Sequence, residues 1–422
     1  MYAESRRCAA AVRTALAAVL LGLIAGCFGG KGGPSGVTQP LPTLNVVTIT
    51  VDSGPATATG AINRPYVTVH VCAAGSSTQC ANIDHVLVDT GSWGLRLVRS
   101  TLTAAALTLA PQTDTQGNAL EECATFGSGQ TWGPIARADI TLAGETAAGI
   151  PLQVLDDTQS GAPAPATCGA SGLINGVADW AANGVLGIGV FAQDCGMNCA
   201  GTGAPLPVYY GCTAAGVCTA ENVAVAAQVT NPAWAFATDN NGVIVSMANL
   251  QDANGDASAQ GQLIFGLGTQ ADNALPGSGL QLLGADANGD FQTTYNGASV
   301  SVPGLLDTGS DSYLFDDPTI QVCTSAAWVG YYCPANAPLV RTAINASAAQ
   351  TAASVSGAAG TVTFAVGDPD SFVANAAAYG GLAGGAGATR FNWGMPFFYG
   401  RPVYIGFEGR SVTSFTGPFY GY

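Results

Sequence analysis

A chain of 422 residues that is 48% apolar and only 9% charged can bury one large core or two moderate ones, and it is not a disordered chain. Its formal net charge is −15, Lys31 is the only lysine, and no basic stripe exists to neutralise phosphates, which argues against nucleic acid; no G-x-x-x-x-G-K-[ST] run offers a nucleotide phosphate site. His70 and His85 are the only histidines, which argues against a histidine triad or a multi-histidine metal centre, so neither metal nor cofactor is expected.

At the N-terminus Arg6, Arg7 and Arg13 precede an apolar stretch at 15–24, too short to span a bilayer and suited to a signal-peptide core. It ends in Ile24-Ala25-Gly26-Cys27, which resembles a bacterial lipobox and implies that Cys27 is lipidated and becomes the new N-terminus. Residues 1–26 are therefore expected to be a lipoprotein signal, with 27–44 a Gly/Pro-rich tether. Phe28 follows the cysteine, and outer-membrane sorting, facing the periplasm or the cell surface, is the expectation.

Beyond the tether the chain reads as mostly strand. The segments at 45–54, 64–73, 85–92, 137–144, 241–248, 261–268, 298–310, 360–367 and 401–409 are β-branched or aromatic, with alternation or short apolar runs, and Gly- and Asn-rich turns separate them. Helical windows are few: 100–107, 178–182 and 342–353. The expected class is all-β, with β-sandwich or β-barrel-like lobes. Two DANGD runs, beginning at Asp252 and Asp286, read as hairpin turns because the EF-hand's distal Glu is absent.

Setting aside Cys8 and Cys27 leaves ten cysteines, an even number that reads as disulfides in an exported chain. Cys72 and Cys80 flank a hairpin tip, Cys323 and Cys333 close a short loop, and Cys123 is available to Cys168. Cys195, Cys199, Cys212 and Cys218 leave three connectivities open; their spacings do not match a zinc site, and disulfides are expected.

The most specific signal is a tetrapeptide that occurs twice, each time after an apolar run. HVLV leads into Asp89, Thr90, Gly91 and Ser92; PGLL leads into Asp307, Thr308, Gly309 and Ser310. Equivalent turns can bring two carboxyls face to face. Carboxyls about 3 Å apart cannot both ionise near neutral pH, so they share a proton. Each glycine permits close backbone approach, the threonine hydroxyls can lock the turns to each other, and the serine hydroxyls can orient the outer carboxylate oxygens.

With these turns go four further segments. Residues 123–145, CATFGSGQTWGPIARADITLAGE, form a hairpin candidate; 183–189, NGVLGIG, and 392–407, NWGMPFFYGRPVYIGF, each carry an apolar-apolar-Gly core; 261–268 is GQLIFGLG. In this order they resemble the pepsin-like aspartic proteases over nearly the whole exported length. The chain also looks similar to exported bacterial proteins grouped only as a domain of unknown function.

The first resemblance implies a bilobal pepsin-like acid protease fold, with an N-terminal lobe over 45–268, a C-terminal lobe over 269–422 and an active-site cleft between them. It implies Asp89 and Asp307 as the catalytic pair, a flap tipped by Phe126, Gly127, Ser128 and Gly129, and an extended polypeptide as substrate. With both copies in one chain, a monomer suffices. The segment departs from the family where Phe126 stands for the flap tyrosine, Arg96 falls near the tryptophan that partners it, and Trp93 follows the first turn. The expected function is a membrane-anchored aspartic endopeptidase. The alternative is a pepsin-type fold that binds peptide or glycan at the cell surface without cutting.

Overall fold

The computed structural model describes residues 45–170, 172–201, 203, 206–296, 299–349, 355 and 360–422. The signal, Cys27 and the tether lie outside the described residues.

The first part of the chain supplies β1 (Val46–Val51), β2 (Pro65–Ala73), β3 (Cys80–Asp89), β4 (Trp93–Val98), β5 (Ala119–Phe126), β6 (Gly129–Leu142), β7 (Glu145–Leu155) and β8 (Gly184–Ile188). Strands β2, β3, β8, β4, β7 and β6 pair in that order, and β6 returns to β2, closing a six-stranded barrel. Two contacts in it are parallel, β3 with β8 and β4 with β7. Every residue of β8 is buried, as expected of a strand covered on both faces. Helix α1 (Arg99–Ala104) follows β4 and α2 (Val177–Trp180) precedes β8, matching two of the three helical windows.

Next come β9 (Tyr209–Cys212), β10 (Cys218–Ala220), β11 (Gly242–Met247), β12 (Ala259–Phe265) and β13 (Leu282–Gly284). A second sheet follows, made of β14 (Phe291–Tyr295), β15 (Val302–Leu306), β16 (Tyr313–Leu314), β17 (Leu339–Ala346), β18 (Gly360–Val366), β19 (Ala383–Gly384) and β20 (Phe391–Trp393). The chain ends with β21 (Pro402–Gly406), the small hairpin β22 (Ser411–Val412) and β23 (Phe415–Thr416), and β24 (Phe419–Gly421). Strands β21 and β24 pair back into the large sheet through β11, and β13 joins its edge.

The two sheets contain the same four-strand arrangement. In the first, β3 is parallel to β8, β8 antiparallel to β4, and β4 parallel to β7. In the second, β15 is parallel to β20, β20 antiparallel to β16, and β16 parallel to β19. Each repeat places an Asp-Thr-Gly-Ser turn between its first and third strands. One apolar cluster spans both sheets and includes Val88 and Leu306, the residues just before the two aspartates. Beneath the second turn, Phe315, Phe364, Phe391 and Trp393 pack as a ring cluster, with Phe315 stacked on Phe391 at 5.0 Å.

The helix expected over 342–353 is corrected. Residues 342–346 belong to β17, which pairs with β14 and β18, and 350–353 lie outside the described residues. The alanines of this window favour a helix locally, but side chains alternate between core and solvent along β17 and β18, and the sheet wins. Both DANGD runs are turns: the carboxylates of Asp252 and Asp286 cap the amides of Asn254 and Asn288, each at 2.8 Å.

Five disulfides join Cys72 to Cys80, Cys123 to Cys168, Cys195 to Cys199, Cys212 to Cys218 and Cys323 to Cys333. The open connectivity of the four-cysteine cluster resolves into two short local loops. Such a set belongs to an oxidising compartment and marks an exported, non-cytoplasmic chain. Among the described residues, no helix is long and apolar enough to cross a membrane.

Candidate active site

Strand β3 runs through the core and ends on Asp89, which lies opposite Gly187 of β8. Strand β15 ends one residue before Asp307, whose amide donates to the Trp393 carbonyl at 3.0 Å. Beyond each aspartate the chain folds back in the same way. Gly91 N–H donates to Asp89 Oδ1 at 2.8 Å, and Gly309 N–H donates to Asp307 Oδ1 at 2.8 Å. Ser92 donates its hydroxyl to Asp89 Oδ2 at 2.5 Å, and Ser310 does the same for Asp307 Oδ2 at 2.7 Å.

The threonines lock the two turns together. Thr90 Oγ1 donates to the Leu306 carbonyl at 2.8 Å and accepts the Thr308 amide at 3.0 Å. Thr308 Oγ1 donates to the Val88 carbonyl at 2.6 Å and accepts the Thr90 amide at 3.1 Å. All four bonds are buried, where an unmade bond is most costly.

The lock brings the carboxyls within hydrogen-bond reach of each other. A Cβ on Gly91 would sit 2.6 Å from Asp307 Oδ1, and one on Gly309 would sit 2.6 Å from Asp89 Oδ1, so only glycine permits this approach. Asp89 is 5% exposed; its carboxyl is pushed up to about 7, first by burial and then by the charge of Asp307, against the bonds from Ser92 and Gly91.

The turns open onto a cavity of about 1190 Å³, and both aspartates line it. Residues 122–128 contribute another part of the lining, from β5 and the turn of its hairpin with β6. Phe126 pairs with Gly129 at the end of that hairpin, so Gly127 and Ser128 form its tip. The Phe126 ring meets Trp180 edge-on at 4.9 Å, and Trp180 is buried while also touching the cavity. Trp393 is fully buried.

Behind Phe126 lies a charged group that sequence reasoning did not assemble. Arg96 is buried, with its guanidinium 5.2 Å above the Phe126 ring. It donates to Glu122 at 2.8 Å, Asp194 at 3.1 Å, Gln153 at 3.2 Å and the Trp93 carbonyl at 2.8 Å. Burial and the neighbouring Asp194 push the Glu122 carboxyl well up despite Arg96. Its Oε2 is buried without a hydrogen-bond partner. Arg96 thus ties the first Asp-Thr-Gly-Ser turn to the hairpin strand β5, where the sequence shows only dispersed polar residues.

Two other contacts were also missed. Arg64 donates to the Gly309 carbonyl at 2.5 Å, and Asn392 donates to Asp307 Oδ2 at 2.6 Å. The one available signal was a lone asparagine between Phe391 and Trp393 in an otherwise apolar strand.

Cys72 and Cys80 approach His70, and Cys333 approaches Asp368 and Asp370, but all three cysteines are spent in disulfides and offer no thiolate.

No curated protein matches the sequence. Residues 42–422, all of the chain beyond the expected tether, match one family throughout, and the chain belongs to it: the family described as Protein of unknown function (DUF3443).

Proposed function

We propose that this chain is an exported aspartic endopeptidase with a pepsin-like bilobal architecture, anchored to the membrane through Cys27 and acting as a monomer. The observation that carries the reading is the pair of mirrored turns, locked by Thr90 and Thr308, that present two closely apposed carboxyls to a large cavity. An extended polypeptide would lie in the cleft between the lobes, beneath the hairpin that ends at Phe126. One carboxylate takes a proton from water as the water oxygen bonds to the peptide carbonyl carbon. The protonated carboxyl gives its hydrogen to the carbonyl oxygen, and collapse of the tetrahedral adduct then releases the amine with a proton returned from the dyad. No covalent enzyme intermediate is involved.

A raised Asp89 carboxyl gives the pH dependence its sign. The singly protonated dyad persists up to about pH 7 and is lost above it, so cleavage of denatured casein is expected at acid pH and declines as pH rises through about 7. A statine-type peptide should block it, and Asp89→Asn and Asp307→Asn should each abolish it. Cleavage that survives Asp307→Asn overturns the mechanism.

Phe126 has no hydroxyl to offer a substrate, and this favours a second reading, a surface protein that captures peptide or glycan without cutting. Peptide capture that persists in Asp307→Asn with no cleavage by the native chain at any pH from 3 to 8 would select it.

A further inference from the structure

We infer that Asn392 makes the two aspartates unequal, holding Asp307 as the ionised base and leaving the shared hydrogen on Asp89. The inference rests on the dyad reading above and assigns its two roles. The turns match donor for donor: each aspartate receives one glycine amide and one serine hydroxyl. Only Asp307 receives more. Asn392 Nδ2 lies 2.6 Å from Asp307 Oδ2 and 3.0 Å from Ser310 Oγ.

Strand register identifies what the other half has at that place. Leu305 pairs with Asn392 across β15 and β20, as Leu87 pairs with Val185 across β3 and β8. Val185 is fully buried in an apolar cluster with Leu87 and Trp180, and its side chain has no donor to give. Asp307 therefore takes three hydrogen bonds and Asp89 two, while Asp89 is the more deeply buried. Donors favour a carboxylate and burial disfavours it, so both differences push the charge to Asp307.

The amide orientation follows from chemistry. An ionised carboxylate only accepts, and Ser310 already gives its hydrogen to Asp307, so the nitrogen of Asn392 faces both. Its Oδ1 is left buried without a partner, a cost the molecule carries at this position alone of the two. Asn392 is held between fully buried Phe391 and Trp393 and cannot readily turn away.

The other charged groups near Asp307 do not supply the asymmetry by direct contact. Arg64 is spent on the Gly309 carbonyl, Asp311 accepts from Tyr331 at 2.8 Å, and Arg390 is paired with Asp290. Tyr420 packs nearby with its hydroxyl on the Gly289 carbonyl. Asn392 is thus a positioning residue, acting through Asp307. In the proposed reaction Asp307 takes the proton from water and Asp89 gives its own to the carbonyl oxygen.

The test reads the carboxyls themselves and needs no turnover. Protein labelled with carbon-13 at the aspartate carboxyls is titrated by NMR, with Asp89→Asn and Asp307→Asn assigning the two resonances. In the native protein the Asp307 resonance is expected to reach its ionised position at lower pH than that of Asp89. Asn392→Leu, close in shape but without a donor, should raise the Asp307 midpoint by about one pH unit. Asn392→Ser, too short to reach the carboxylate, should do the same if leucine is not accommodated. Asp89 ionising first, or a midpoint gap unmoved in whichever variant folds, overturns the inference. A chain that never cuts peptides but shows this order sinks the proposed function and leaves the asymmetry standing.

Discussion

The buried Arg96 cluster offers the sharpest stability prediction. The Arg96 side chain is 2% exposed and Glu122 is fully buried, so their ion pair is not weakened by solvent screening. Arg96→Met keeps the bulk of the stem and removes four hydrogen bonds at once. What remains is Glu122 and Asp194 facing each other without a cation. Breaking a buried pair from one side costs about 3–5 kcal/mol, mostly the price of the stranded charge. The sign with pH follows from Glu122. Its folded carboxyl is already raised, so its contribution is fully present below the ordinary 4.5 and is lost as pH rises toward the folded value. Without Arg96 the buried Glu122 carboxyl depends on protonation, and the loss should be small near pH 4.5 and full at pH 7. Urea unfolding with the disulfides intact, followed by tryptophan fluorescence, measures it. Adding Glu122→Gln to Arg96→Met should recover about 1–3 kcal/mol at pH 7. A loss under about 1 kcal/mol at pH 7, or an equal loss at both pH values, refutes the reasoning.

Two further predictions concern backbone approach and covalent staples. Gly309→Ala puts a methyl 2.6 Å from Asp89 Oδ1 and should drive the carboxyls apart, costing about 1–3 kcal/mol and at least about 100-fold in any peptidase activity; Gly127→Ala, with open space at the hairpin tip, should change stability little. The disulfides should rank by loop length: replacing the Cys123–Cys168 pair, 45 residues apart, with serines should cost about 4 kcal/mol, against about 2 for Cys195–Cys199, 4 residues apart, as read by urea midpoints.

Much of the fold was legible because the same physics is written twice. An apolar strand followed by Asp-Thr-Gly-Ser marks a buried β3 or β15 ending in a turn that needs a glycine. The all-apolar run of β8 likewise marks a strand covered on both faces. Cys72 with Cys80 and Cys323 with Cys333 foretold their own loops, whereas the four cysteines of the 195–218 cluster left three connectivities open until the fold paired neighbours. The window at 342–353 misled because propensity is local, whereas the alternation that places Leu339–Ala346 in a sheet has meaning only beside β14 and β18. The Arg96 cluster was hidden for a related reason. Arg96, Glu122 and Gln153 are far apart in the chain, and the pairing of β4, β5, β6 and β7 brings them to one point, where Asp194 joins them from the segment after β8.

The repeat also hid what matters most for chemistry. Two identical tetrapeptides invite the reading that their aspartates are interchangeable, and by backbone geometry they nearly are: the glycine amides, serine hydroxyls and threonine cross-bonds correspond one to one. In a hydrolytic dyad the two acids act unequally at any moment, because one takes a proton while the other gives one. A fixed bias in where that proton rests comes from residues outside the motif, at positions where the halves are free to diverge. Val185 and Asn392 occupy one such position, in register behind the two aspartates, one buried among apolar side chains and one donating to a carboxylate. Symmetry of the turns brings the carboxyls together, and asymmetry of the strands behind them assigns the proton.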